Sequence, residues 1–247
     1  MSDSANYSFP YVNRDVSWMY FNHRILQEAM RPEVPPLERL SFLGIYSNNL
    51  DEFFRVRMAT ISRIAMMPGK NLSHERNKAR QLFSEITEID SVFTKEYGKS
   101  IADVEKILAD NNILILNETQ LSEEQKHYVK CLFREEISGF ISPQWLDKLA
   151  EFSRESDDRI YLAIELSGNE KKAEHAIIQL PVEKCGRFIT LPAENGKECV
   201  MYLDDAVRLA LPMIFSGMGF DRIEAYSFKF TKDAEMEIDN DLHVGPL

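Results

Sequence analysis

Apolar residues recur at steps of three and four through the first 110 residues, then give way to shorter runs of strand-like spacing. Met19, Ile25, Leu26 and Ala29 supply the apolar side of a helix from about Val16 to Met30, with Asp15 placed to cap it. Pro32, Pro35 and Pro36 then break and restart the chain, because proline fits the first turn of a new helix. Leu40, Leu43, Tyr46, Leu50, Phe53, Phe54 and Ile61 keep helical spacing as far as Met67, where Pro68-Gly69 ends it. After Ser73 comes the longest ladder: Leu82, Phe83, Ile86, Ile89, Phe93, Tyr97, Ile101, Val104 and Leu108. It predicts one amphipathic helix of about ten turns. Three helices joined by short turns make an antiparallel helical domain, residues 1–112.

Beyond Asn111-Asn112 the period changes. Ile113 to Leu116 reads as a short strand, and Ser122 to Gln125 opens a helix with a capping box that reaches about Ser138. Residues 159–166 and 173–180 flank a Ser-Gly-Asn turn and predict a β-hairpin. Phe188 to Leu191, Cys199 to Leu203 and Ala225 to Thr231 are further strands, and Asp204 can cap a short helix ending near Phe215. Strands mixed with two helices predict an α+β second domain, residues 113–247, around an antiparallel sheet.

Composition adds bounds rather than a function. With 44% hydrophobic and 28% charged residues, the chain is neither low-complexity nor disordered. No uncharged stretch reaches the roughly 18 apolar residues of a membrane span. The N-terminus lacks the basic start and apolar core of a signal peptide, and three cysteines without CxxC spacing read as reduced thiols. The expectation is therefore a cytoplasmic protein. Its net charge of -11 falls almost wholly in the second part, since the first 110 residues carry a net of -1. Polyanion binding relies on Lys and Arg, so no nucleic-acid partner is expected.

Several motifs imitate chemistry and fail. Gly98-Lys99-Ser100 ends like a phosphate-binding loop, yet Phe93 stands where that motif needs glycine, and the segment lies inside the long helix. Gly217-Met218-Gly219 begins a dinucleotide fingerprint, but Arg222 takes the third glycine position; a turn is the better reading. The ladder Asp233, Glu235, Glu237, Asp239, Asp241 lacks the glycine of a calcium loop, Ile238 standing there instead. The acidic pairs Asp157-Asp158 and Asp204-Asp205 fit turn or cap roles. Five scattered histidines show no paired spacing and none neighbours a cysteine at ligand spacing, so no catalytic residue and no metal site is assigned.

One segment breaks its local rule. Within Gly44-Ile-Tyr-Ser-Asn-Asn-Leu-Asp-Glu-Phe-Phe54, Ser47, Asn48, Asn49 and Asp51 are poor helix formers, yet the apolar period runs on through them. Either Ser47 or Asn48 caps a new helix at a junction, or the carboxamides form a polar notch facing a ligand. Asparagine suits a base edge, because its amide both donates and accepts. The residues alone favour the cap and leave the notch open.

This segment, read with Asn13-Arg-Asp-Val-Ser-Trp-Met-Tyr-Phe-Asn22, Arg24-Ile-Leu-Gln-Glu28, Pro36 to Arg57 and Ala225 to Glu235, resembles the N-terminal part of the long bacterial polyphosphate kinases. The resemblance runs across nearly the whole chain. It implies a helical domain followed by part of a head domain, with two C-terminal domains related to phospholipase D lying beyond. Such enzymes reversibly transfer the terminal phosphate of ATP to polyphosphate through a phosphohistidine. The resemblance places that histidine, the magnesium-linked arginines and the polyphosphate tunnel in the C-terminal half, so Mg2+ is expected there and this chain alone is expected to be inactive.

It further implies ATP contact by Asn49, the second Asn of the Ser-Asn-Asn-Leu-Asp-Glu motif, with Asn48, Arg55 and Arg57 close by. The partners it implies are ATP or ADP, polyphosphate and a second copy of the chain, in a cytoplasmic parent whose membrane association stays open. The alternative is a standalone binding or regulatory module derived from the same family.

Overall fold

The computed structural model describes residues 11–68, 72–148, 159–168 and 171–231. Asn13, not Asp15, starts the first helix, α1 (Arg14–Met30): its Oδ1 accepts from the backbone N–H of Asp15 at 2.8 Å. Both residue types cap well. Asp15 is instead drawn into the first turn, where its carboxylate faces the helix N-terminus and a later arginine. The buried side of α1 comprises Asp15, Val16, Met19, Asn22, Leu26 and Ala29; beyond the first turn, Asn22 is the one polar residue in an otherwise apolar ladder.

α2 (Pro36–Phe53) begins with proline in its first turn, as expected. Arg39, itself buried, donates from Nε to the Ala29 carbonyl and so satisfies one of the last acceptors of α1. The helix continues through one π-helical turn, Phe54–Met58, into α3 (Ala59–Met66). α4 spans Ser73–Asp110, or 38 residues and about 57 Å at 1.5 Å per residue. Its buried positions Ala79, Ile86, Phe93 and Ser100 are spaced by seven, the seam of a helix packed along its length. Gly98-Lys99-Ser100 is helical, though Ser100 is buried and not on the helix surface.

Among the described residues the chain divides into two compact units, one up to Val104 and the other from Glu105 to Thr231. The α+β reading holds for the second, with two sheets where one was expected. A four-stranded antiparallel sheet has the order β2-β4-β3-β7, formed by β2 (Gln144–Trp145), β3 (Arg159–Gly168), β4 (Lys171–Gln179) and β7 (Arg222–Phe230). A three-stranded sheet, β1-β6-β5, joins β1 (Ile113–Ile115) in parallel to β6 (Lys197–Tyr202), whose hairpin partner is β5 (Phe188–Glu194). Asn195-Gly196 closes that hairpin with both residues at positive φ, 53° and 75°. That is the primed turn whose twist matches the strands it joins. The parallel pair is possible because more than eighty residues separate β1 from β6, ample for a crossover.

Three helices cover the sheets: α5 (Glu123–Leu132), the short α6 (Val182–Cys185) and α7 (Leu203–Ile214). The capping box of α5 is present, and its Gln125 also donates to the Pro192 carbonyl at 3.0 Å. Leu162, Ile164 and Leu166 of β3 alternate into the core, which Val129, Met201, Ala206 and Val207 complete. Gly217 and Gly219 turn the chain after α7 at φ of 78° and 72°, the turn expected of that motif.

Asp204 does not cap α7. Tyr202 holds the cap position without a side-chain bond, and Asp204 and Asp205 lie buried in the first turn. Asp204 accepts from Arg187 at 2.6 Å and from the Ser227 hydroxyl at 2.7 Å, while Arg208 pairs with Asp205 and reaches the Ala225 carbonyl at 3.3 Å. Burial works to raise the Asp204 carboxyl, but Ser227 and Arg187 outweigh it and hold it below the usual range. Burial, then repulsion from Asp204, lifts Asp205 from 3.8 to about 6.

These shifts set opposite pH dependences. The folded chain holds the Asp205 proton more tightly than the unfolded chain does. Its contribution is complete below the ordinary carboxylate value and is lost as pH rises to about 6. The contribution of Asp204 is present above that value and is lost on further acidification. Urea midpoints of Asp205→Asn measured from pH 4 to pH 6 should decline less than those of the parent. An unchanged slope would remove Asp205 as the cause.

Candidate functional site

The segment that strained local helix rules is helix throughout. Ser47, Asn48, Asn49 and Asp51 lie inside α2, so neither Ser47 nor Asn48 caps a junction. Tertiary contacts override their weak propensity. Leu43, Tyr46 and Phe53 are buried on one side, and Asn22 of α1 stitches the polar positions in place. The Asn22 Nδ2 donates to the Tyr46 carbonyl oxygen at 3.1 Å, and its Oδ1 accepts from the Asn49 Nδ2, also at 3.1 Å. Asn22 is 1% exposed, whereas Asn49 is half-buried and Asn48 is exposed.

Sequence reading missed Asn22, although a signal was there. The spacing Met19, Asn22, Leu26, Ala29 puts a carboxamide where the stripe calls for an apolar side chain.

Tyr46 ties this pair to α4. Its ring stacks on Tyr97 with centroids 5.5 Å apart, and its hydroxyl is buried without a hydrogen-bond partner among the described residues. Burial, then the nearby Asp90 and Glu96 carboxylates, push the phenol up to about 12, so it stays protonated at neutral pH. Burial likewise raises the Asp90 carboxyl, one oxygen of which has no hydrogen-bond partner among the described residues. Beside them His23 stacks on Phe93 at 3.9 Å and meets the Glu96 carboxylate at 2.7 Å, a packing role.

The π turn that follows carries both arginines of interest. Such turns often occur at functional sites. Arg57 emerges from it to form a two-pronged pair with Asp15 of α1, each N–H to oxygen distance being 2.9 Å. Arg55 is held by Glu52 one turn earlier, at 3.0 and 3.1 Å. Trp18 stacks on Phe53 at 4.4 Å beside the Arg57 pair, and a cavity of about 310 Å³ opens there, lined also by Arg14 and Val56. The structure therefore joins Asn49 to Asn22, while Arg55 and Arg57 engage carboxylates.

His127 Nε2 lies 3.7 Å from Cys131 Sγ, one helical turn away on α5. Among the described residues, no group of three or more His, Cys, Asp or Glu is arranged to hold a metal ion. These residues do not fit Mg2+. Asp157-Asp158, the acidic ladder from Asp233 to Asp241 and His243 lie outside the described residues. Among the described residues, no helix is long and apolar enough to cross a membrane.

Comparison with known proteins decides the family. Residues 11–116 match the polyphosphate kinase N-terminal domain, and residues 124–243 match the polyphosphate kinase middle domain. The chain belongs to the polyphosphate kinase family. It is 34% identical over 244 residues to a polyphosphate kinase of Vibrio cholerae, covering 96% of this chain and 34% of the relative. It is also 34% identical over 243 residues to that of Escherichia coli K12. A crystal structure of polyphosphate kinase from Porphyromonas gingivalis superposes with a TM-score of 0.78 at 26% identity, over 93% of this chain and 34% of that one. The chain thus spans about a third of the length of the relatives it matches.

The Arg57–Asp15 pair should be structural. Arg57→Ala leaves a carboxylate whose side chain is only 8% exposed without this partner. We expect a loss of about 1–3 kcal/mol, towards the lower end because the Arg57 side chain is 36% exposed. Urea unfolding measures it, and a loss within error would make the pair incidental.

Proposed function

We propose that this chain serves as the ATP-facing N-terminal and middle region of a polyphosphate kinase. The complete enzyme would transfer the terminal phosphate of ATP reversibly to inorganic polyphosphate through a phosphohistidine. In this reading the chain forms one wall of the nucleotide site and part of a homodimer interface, and the chemistry takes place on residues outside it.

The position of Asn49 carries the reading. It is the second Asn of Ser47-Asn-Asn-Leu-Asp-Glu52, and its half-buried carboxamide is tethered on one side to Asn22. A side chain held by one partner and still reachable from solvent suits a contact to a base edge, where an amide both donates and accepts. The charge of the second part of the sequence supports the division of labour. Residues beyond 110 carry a net of -10, which suits a module that does not itself hold a polyanion.

In the complete enzyme, Asn49→Ala should raise KM for ATP, with kcat changed less. Losing one good base contact costs about 1–3 kcal/mol, roughly five- to 160-fold. An unchanged KM would return Asn49 to a packing role. The chain alone should synthesise no polyphosphate from ATP, since phosphoryl transfer needs a nucleophile and charge-neutralising groups. Polyphosphate made by the purified chain would overturn the division of labour.

A further inference from the structure

We infer that Asn22 is a positioning residue that fixes which way round Asn49 presents its carboxamide, and so sets a preference for adenine over guanine. The inference rests on the reading of Asn49 as a base contact.

The argument follows donor and acceptor polarity from a fixed end. A backbone carbonyl can only accept, so the Tyr46 oxygen obliges Asn22 to present its –NH2, as observed at 3.1 Å. That leaves the Asn22 Oδ1 facing Asn49, and Asn49 must answer with its own –NH2, again at 3.1 Å. Turning either carboxamide over would set oxygen against oxygen. Asn22 is 1% exposed and lies between Met19 and Leu26 in the apolar side of α1, where water cannot relieve such a clash. The orientation of half-buried Asn49 is therefore dictated from the core. Its Oδ1 and its remaining N–H form no other hydrogen bond within the described chain and are available to a ligand.

An acceptor beside a donor, held in fixed order, matches adenine, whose amino group donates next to a ring nitrogen that accepts. On the edge that carries N1, guanine offers a carbonyl acceptor beside a ring N–H donor, the reverse of adenine, so it would need the carboxamide turned over; on the N7 edge it offers two acceptors and fits neither orientation. Without Asn22, Asn49 could rotate and serve either base.

The test uses the complete enzyme, with kcat/KM measured for ATP and for GTP. The variants are Asn49→Ala, Asn22→Leu, which suits the apolar stripe and removes both hydrogen bonds, and the double variant. Asn22→Ala, which removes both hydrogen bonds without adding bulk, carries the test if Asn22→Leu does not fold. Asn49→Ala should lower kcat/KM for ATP about ten-fold. The Asn22 variants should lower the ATP-to-GTP ratio several-fold, with the double variant no worse than Asn49→Ala alone, as expected of residues acting as one unit.

If Asn49→Ala leaves ATP kinetics intact, the base-contact reading fails and this inference with it. If Asn49→Ala is impaired while the Asn22 variants keep the ATP-to-GTP ratio, only the inference fails. An equal loss for both nucleotides would make Asn22 a packing residue and overturn it too.

Discussion

A carboxamide inside an apolar stripe must have both its ends bonded, because an unsatisfied buried polar group costs about 1–3 kcal/mol. Asn22 meets that demand by bridging two points one turn apart on α2, the Tyr46 carbonyl and the Asn49 amide. A shift of α2 along α1 by a residue would break both bonds at once, so the pair acts as a register pin between the helices. The Tyr46 ring adds the third element by stacking on Tyr97 of α4. Everything proposed for Asn49 depends on this arrangement, since a half-exposed side chain recognises a base well only when something rigid aims it.

The second unit solves a similar problem with charge. Two adjacent carboxylates buried in the first turn of α7 would repel each other, and burial alone disfavours both. Arg187 and Arg208 divide the work, one from just before β5 and one from within α7, while Ser227 of β7 supplies a hydroxyl. The result links α7 to β7 and to the start of β5. The two carboxylates nevertheless keep different environments, one with its ionisation favoured and the other with it opposed.

Much of this fold was legible along the chain, and the misreadings have a common form. The Ser122–Gln125 capping box, the proline start of α2 and the long ladder of α4 were all readable, because each is written within a few turns of sequence. Asp15 and Asp204 were both read as caps, and both instead face arginines distant in sequence, Arg57 and Arg187. The weak propensities of the polar run from Ser47 to Asp51 favour a junction and leave a polar notch open, yet packing and the Asn22 bridge hold the run helical. The π turn at Phe54–Met58 left no readable mark, since its residues keep ordinary helical spacing.

The site divides in the same way. Sequence by itself determined the helical first part, the α+β second part, the family resemblance and the candidacy of Asn49, because periodicity and motif are properties of neighbouring residues. Tertiary structure alone decided that Asn22 is the partner of Asn49, that Arg55 and Arg57 engage carboxylates, and that β1 pairs in parallel with β6. The physical reason is that a hydrogen bond or ion pair depends on distance and direction, and the chain brings Asn22 to Asn49 across 27 residues only when α1 and α2 pack.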